Sequence, residues 1–287
     1  MTVIGSKEFA SNQNKLFSVL FFFLFGMLSI VSAQSRIVPE FREKVEISVP
    51  KEKFRLYLLI GQSNMAGRGT VEPQDTVGNP RILRLNRYGD WEIAKEPLHF
   101  DKPGGGVGPG LAFAREMLDP DDDIVIGLIP CAAGGSSIDH WKPEMFWEQT
   151  RSFPYDDALL RTKLALKDGT LDGILWQQGE ADMTAPERRD AYKTKLETLV
   201  ATLRRELGTP FVPFIAGEIA DYFGIDGAEL NKVFHEAEKD IPYYAVVSAK
   251  GFTALPDGVH LDARSQREFG RRFAEIMKSI INTVPGR

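Results

Sequence analysis

Five short apolar runs punctuate the chain. Residues 55–61 (RLYLLIG), 123–130 (DIVIGLIP), 171–177 (LDGILWQ), 211–218 (FVPFIAGE) and 243–248 (YYAVVS) share this form. They are too continuously hydrophobic for strands with one wet face, so they predict strands buried on both sides. Between them, residues 109–118, 156–167, 185–207, 228–240 and 263–281 carry apolar positions at helical spacing. In the longest, Tyr192, Leu196, Leu199, Val200 and Leu203 form one stripe with Lys and Arg opposite. The alternation predicts the α/β class: a three-layer α/β/α, flavodoxin-like arrangement around a five-stranded parallel sheet. Right-handed crossovers then bring every strand's C-terminal end to one edge, where ligands bind in such sheets.

The first residues follow another rule. Lys7 and Lys15 precede an apolar run over 16–31, which exits through Val31-Ser32-Ala33 into Gln34-Ser35. A cationic start, a short greasy centre and small exit residues predict a secretory signal peptide over 1–33. The run is shorter than the ~20 residues of a spanning helix. The expected destination is secreted or periplasmic, with membrane anchoring if the segment is uncleaved and no stable membrane association if it is cleaved. Residues 34–53 read as a polar, extended lead-in, and 54–287 as one domain without repeats or linkers.

Composition narrows the chemistry. Hydrophobic residues are 43% and charged residues 26%, which supports a sizeable core. A net charge of −5 offers no basic surface to nucleic acid. Cys131 is the only cysteine, so no intrachain disulfide forms, and it is expected to pack as a small hydrophobe.

The chemistry gathers where strands end. The first strand runs into Gly61-Gln62-Ser63-Asn64-Met65-Ala66-Gly67, a tight turn that holds a serine hydroxyl at the ligand edge. An ordinary glycine turn with a helix-capping serine has the same local pattern. Asp257-Gly258-Val259-His260 follows the last strand. There the carboxylate can orient one ring nitrogen while the other faces a hydroxyl, as a Ser-His-Asp triad requires. The third strand runs into Gln177-Gln178-Gly179-Glu180, and the loop after the second holds Gly134 and Gly135. Amide donors at that edge suit the negative charge that builds on a carbonyl oxygen in acyl transfer.

Together GQSNMAG (61–67), CAAGGSSI (131–138), LWQQGEAD (175–182) and DGVH (257–260) resemble the blocks of SGNH hydrolases, in the branch of sialate O-acetylesterases and acetylxylan esterases. The resemblance runs from about Phe54 to about Ile280 and keeps the block order. It implies Ser63 as nucleophile, His260 as general base and acid, and Asp257 as its orienter. It implies an oxyanion hole of the Ser63 N–H, Gln178 and a loop glycine, with Gly135 favoured over Gly134. Gln62, Asn64, Gly134 and Glu180 are implied as supporting residues, as is Asp182, which equally suits helix capping. The implied activity is that of a secreted serine esterase removing acetyl groups from an acetylated oligo- or polysaccharide, with no metal or organic cofactor. A lipase- or thioesterase-like enzyme for other acyl esters and a non-catalytic glycan-binding module are the alternatives.

Other features carry less. Residues 104–110 (GGGVGPG) lack the Lys-Ser/Thr ending of a phosphate loop and read as a mobile loop beside the pocket. His99, His140, His235 and Cys131 have no metal-ligand spacing. Trp141 and Trp147 sit near the presumed oxyanion loop, where packing is the default role and sugar stacking the alternative. Residues 187–190 mix both charges, as on a solvated helix face.

Overall fold

Continuous burial makes Phe54–Gly61 the central strand, β1, of the computed structural model, which describes residues 42–285. Alternate side chains serve opposite faces. Phe54, Leu56, Leu58 and Ile60 join one core, whereas Tyr57 and Leu59 join a second on the other side of the sheet. The short α1 (Ser63–Ala66) follows β1 directly. Then come β2 (Ile82–Leu85), β3 (Trp91–Ile93), α2 (Gly110–Met117), β4 (Val125–Pro130), α3 (Pro154–Ala165) and β5 (Thr170–Gln177). The chain ends with α4 (Pro186–Leu207), β6 (Phe214–Gly217), α5 (Gly224–Ala237), β7 (Tyr244–Val247) and α6 (Ala263–Ile281).

The strands form one sheet in the order β3-β2-β4-β1-β5-β6-β7. All neighbours pair in parallel except β2 and β3, which are antiparallel. The five expected strands stand in the spatial order second, first, third, fourth, fifth, as in a flavodoxin-like winding. Residues of α2 and α6 line one core, and those of α3, α4 and α5 the other. The expected five-stranded, all-parallel sheet is therefore corrected to a seven-stranded mixed one. What hid β2 and β3 is brevity and charge: Arg84 interrupts the apolar run of β2.

Arg84 is nonetheless only 9% exposed. Its guanidinium bonds Glu92 Oε2 of β3 at 3.1 and 3.2 Å and the carbonyls of Pro97 (3.0 Å) and Leu98 (2.7 Å). The described part of the lead-in extends this edge, with Val45 N–H donating to the Trp91 carbonyl and Ile93 N–H to that of Glu43. The predicted signal segment, 1–33, and residues 34–41 lie outside the described residues.

Helix ends follow local chemistry. Pro186 opens α4, Gly208 closes it in the left-handed region (φ 67°), and the Asp262 side chain caps α6 by accepting the Ser265 N–H. Arg84→Leu would strip the donor from Glu92 Oε2 and the Leu98 carbonyl, leaving Glu92 held by Asn86 and the Pro97 carbonyl by Arg42, so it is expected to cost about 3 kcal/mol or more. The urea midpoint checks this.

Candidate active site

The end of β1 cannot carry a side chain. At Gly61 (φ +131°) a Cβ would lie 2.1 Å from the Gln177 carbonyl oxygen, so only glycine lets the chain turn beside β5. Gln62 N–H then donates to that same carbonyl at 2.8 Å, and Ser63 opens α1 at 7% exposure. The serine turn thus stands between the C-terminal ends of β4 and β5, where the winding reverses.

The other half of the site comes from the loop between β7 and α6. Leu255 N–H bonds the His260 carbonyl, and Gly258 N–H bonds that of Leu255, folding 254–261 into a tight turn. Asp257 Oδ1 accepts the N–H groups of Val259 and His260, both at 2.9 Å, and Oδ2 meets His260 Nδ1 at 2.7 Å. His260 Nε2 lies 3.0 Å from Ser63 Oγ, across 197 residues of chain. Desolvation pushes the Asp257 carboxyl upward, but the two N–H groups and the imidazole more than offset it, and its pKa falls to about 2.

Asn64 fastens the two halves together. Its Oδ1 accepts Leu261 N–H at 3.0 Å, its carbonyl accepts Gln266 Nε2 of α6 at 3.0 Å, and its Nδ2 donates to Glu180 Oε1 at 2.6 Å. Burial holds the Glu180 carboxyl above its usual range, and its Oε2 is enclosed without a partner among the described residues.

Facing the serine, residues 131–136 are tied to β1 by Ala133 N–H donating to the Gly61 carbonyl at 2.8 Å. Among the described residues, neither Ser63 N–H nor Gly135 N–H meets an acceptor. Gly134 N–H is spent on Asp101 Oδ2 at 3.0 Å. Gly135 sits at φ +81°, with Gln149 Oε1 close on its outer side.

Gln178 departs from expectation. It is fully buried, and its Nε2 faces Gln62 Oε1 (3.1 Å), the Ser136 carbonyl (3.1 Å) and Asp182 Oδ2 (2.7 Å). Its oxygen takes the Tyr192 O–H at 2.6 Å. Both amide hydrogens are thus committed, drawn inward by the Asp182 carboxylate, and neither is free for an oxyanion. The carboxamide left open beside the serine is that of Gln62. Its oxygen is held by Gln178 and the Ala181 N–H, and its Nε2 has no partner among the described residues.

A family model described as "Carbohydrate esterase, sialic acid-specific acetylesterase" matches residues 53–279. The chain belongs to this family. It is a carboxylic ester hydrolase, of the SGNH type in the sialate O-acetylesterase branch. A "probable carbohydrate esterase" of Arabidopsis thaliana is 34% identical over 259 residues, spanning 83% of this chain and 95% of the relative. The crystal structure of that plant protein superposes with a TM-score of 0.71 at 32% identity, over 78% of this chain and 98% of that one. The crystal structure of NanS has the same fold, with a TM-score of 0.67 at 18% identity over 82% of this chain and 99% of that one.

Within this esterase, the glycine loop 104–110 is pinned where mobility was expected. Gly106 N–H bonds the Gly67 carbonyl, and Val107 and Gly69 exchange two backbone bonds. It buttresses the chain just after the nucleophile turn. A Cβ on Gly106 would sit 2.2 Å from the Gly69 carbonyl oxygen. Trp141 is buried edge-on against Trp176, whereas half-buried Trp147 lies tilted against His140 and donates to the Gly134 carbonyl. His235 is an exposed partner of Glu218 and Glu238. Sequence reasoning missed the enclosed Arg68–Asp101 pair, Tyr192 as partner of Gln178, and Gln266. Each lies far along the chain from its partner, so no local pattern marks it.

Asn64→Ala is expected to lower kcat on an aryl acetate about tenfold to a hundredfold, with little change in KM, because the His260 turn loses its tie to the serine. Steady-state kinetics check this. Because the Asp257 pKa is depressed, the anchored carboxylate persists above its ordinary pKa and is lost as pH falls toward 2. A carboxyl ¹³C titration should show a midpoint near 2, moving part of the way back up in His260→Ala.

Proposed function

We propose that the protein is an exported serine esterase that hydrolyses O-acetyl esters on oligo- or polysaccharides through an acyl-enzyme on Ser63. The observation that carries this reading is the continuous relay from Asp257 through His260 to Ser63, at 2.7 and 3.0 Å. The apolar run at 16–31 supports export, and family membership supports the carbohydrate acetyl ester.

His260 Nε2 takes the Ser63 proton as Oγ attacks the acetyl carbonyl carbon. The ester π electrons move to oxygen, and the resulting oxyanion is received by the unpaired Ser63 and Gly135 N–H groups, with Gln62 Nε2 as the carboxamide donor at hand. Gln178 acts here by fixing Gln62 and the Ser136 loop. The imidazolium then protonates the departing sugar oxygen, leaving acetyl-Ser63. Water, deprotonated by His260, repeats the addition and releases acetate. Throughout, Asp257 holds the Nδ1 proton and stabilises the imidazolium.

Ser63→Ala and His260→Ala should each reduce hydrolysis of 4-nitrophenyl acetate by at least roughly ten-thousand-fold, and Asp257→Asn by somewhat less. Acetate release from acetylated xylan, acetylated pectin and O-acetyl sialic acid, compared side by side, identifies the saccharide. A rate that rises with acyl chain length beyond acetyl would reject the acetylesterase reading in favour of a lipase-like one.

A further inference from the structure

The turn that carries the imidazole has little packing of its own. Residues 256–259 are all exposed, and a Cβ on Gly258 would meet nothing within 4 Å. Its orientation therefore rests on hydrogen bonds to the two peptide planes that flank the His260 Cα. The plane after it is held at both edges. The His260 carbonyl accepts the Leu255 N–H at 2.6 Å, and the Leu261 N–H donates to Asn64 Oδ1 at 3.0 Å. The plane before it is held at its N–H edge by Asp257 Oδ1, at 2.9 Å from the His260 nitrogen. Its other edge, the Val259 carbonyl, is taken by a residue outside both the turn and the serine segment. This is Tyr222, whose O–H donates to it at 2.9 Å. Asn64 Nδ2 also faces that oxygen, but from 3.4 Å, since its short bond of 2.6 Å goes to Glu180.

Tyr222 is built as an anchor. It lies between β6 and α5, half-buried, with its ring against the core that α2 and α6 cover and 4.7 Å from the Phe223 ring centroid. The segment that carries it is braced on the opening of the loop that carries His260. Glu218 Oε2 accepts the Ser248 O–H at 2.9 Å and the Ala249 N–H at 3.1 Å, and Asp221 Oδ2 accepts the Gly251 N–H at 3.1 Å. The loop after β6 thus grips the loop after β7 at its start and, through Tyr222, at its reactive end. Burial and the negative charges of Glu180, Asp257 and Asp262 raise the phenol pKa above its ordinary value, so the donor keeps its proton.

We infer that Tyr222 is a positioning residue for the esterase reaction: by fixing the Val259–His260 peptide plane it sets the direction of the imidazole toward Ser63 Oγ. It acts through His260 and not on the substrate. The inference rests on the proposed esterase function, in which His260 is base and acid. A bond at a part-exposed site adds little to folding stability, yet a small misdirection of the base slows every step that the base serves.

Tyr222→Phe, which keeps the ring and deletes only the donor, tests it. His260 serves acylation and deacylation alike, so both should slow together. On 4-nitrophenyl acetate kcat should fall about tenfold, with KM within about twofold of wild type and the urea midpoint unmoved. In a His260→Ala background the same substitution should leave the residual rate within about twofold. Amide hydrogen exchange gives a readout independent of turnover. The His260 and Leu261 N–H groups should exchange at least about fivefold faster in Tyr222→Phe, and those of β1 at the wild-type rate. Wild-type kcat, unchanged exchange at 260 and 261, or an equal fractional loss in the His260→Ala background would each overturn the inference. A urea midpoint that falls in step with kcat would do so too, because the residue would then serve folding alone. His260→Ala turning over at the wild-type rate would sink the esterase relay instead, and the exchange rates would still decide whether Tyr222 anchors the turn.

Discussion

The hydrogen bond between Ser63 and His260 joins residues 197 positions apart, and everything distinctive about this site depends on that closure. A single such bond contributes only about 1 kcal/mol net, too little to order the turn that carries the imidazole. The ordering comes from around it. Asp257 folds the turn upon itself, Asn64 ties it to the serine segment, and Gln266 ties the serine segment to α6. α6 is in turn held by apolar residues such as Phe269, Phe273 and Met277 in the core beneath. The reactive contact is thus the last link in a chain of packing.

Beneath the serine lies a polar layer that an apolar core would not tolerate unless its members satisfied one another. Tyr192, Gln178, Asp182 and Gln62 form a continuous set of donors and acceptors, with Trp176 Nε1 feeding Tyr192 at 3.2 Å. Satisfaction is not complete. Glu180 Oε2 and Asp182 Oδ1 are enclosed without partners among the described residues, and burial raises both carboxyls. Such a layer turns the Gln178 amide inward and leaves Gln62 Nε2 without a partner among the described residues.

The strands and helices were largely legible because their signals are local. Apolar continuity over five runs marked β1, β4, β5, β6 and β7, and helical spacing marked α2 to α6 to within a few residues at most boundaries. The missed strands show the limit of that method. β2 carries Arg84 at a position that periodicity assigns to solvent, yet Glu92 and two carbonyls supplied by other segments make it an interior residue. The glycine loop misled for the same reason. Glycines read as freedom in sequence, whereas here they permit close backbone contact with Gly67 and Gly69.

The α/β winding, the edge at which chemistry collects, and the pairing of Asp257 with His260 were all legible in the chain, because each depends on signals carried by residues close together along it. The tertiary structure alone decided how the amides divide their work. Gln178 and Gln62 are both carboxamides at strand ends, and their places at those ends do not tell them apart. Packing brings Asp182 and Tyr192 against the first and leaves the second open. Hydrogen-bond roles inside a fold are set by whichever partners the packed core delivers, and for Gln178 those come from the next turn (Asp182), from α4 (Tyr192) and from the end of β1, 116 residues away (Gln62).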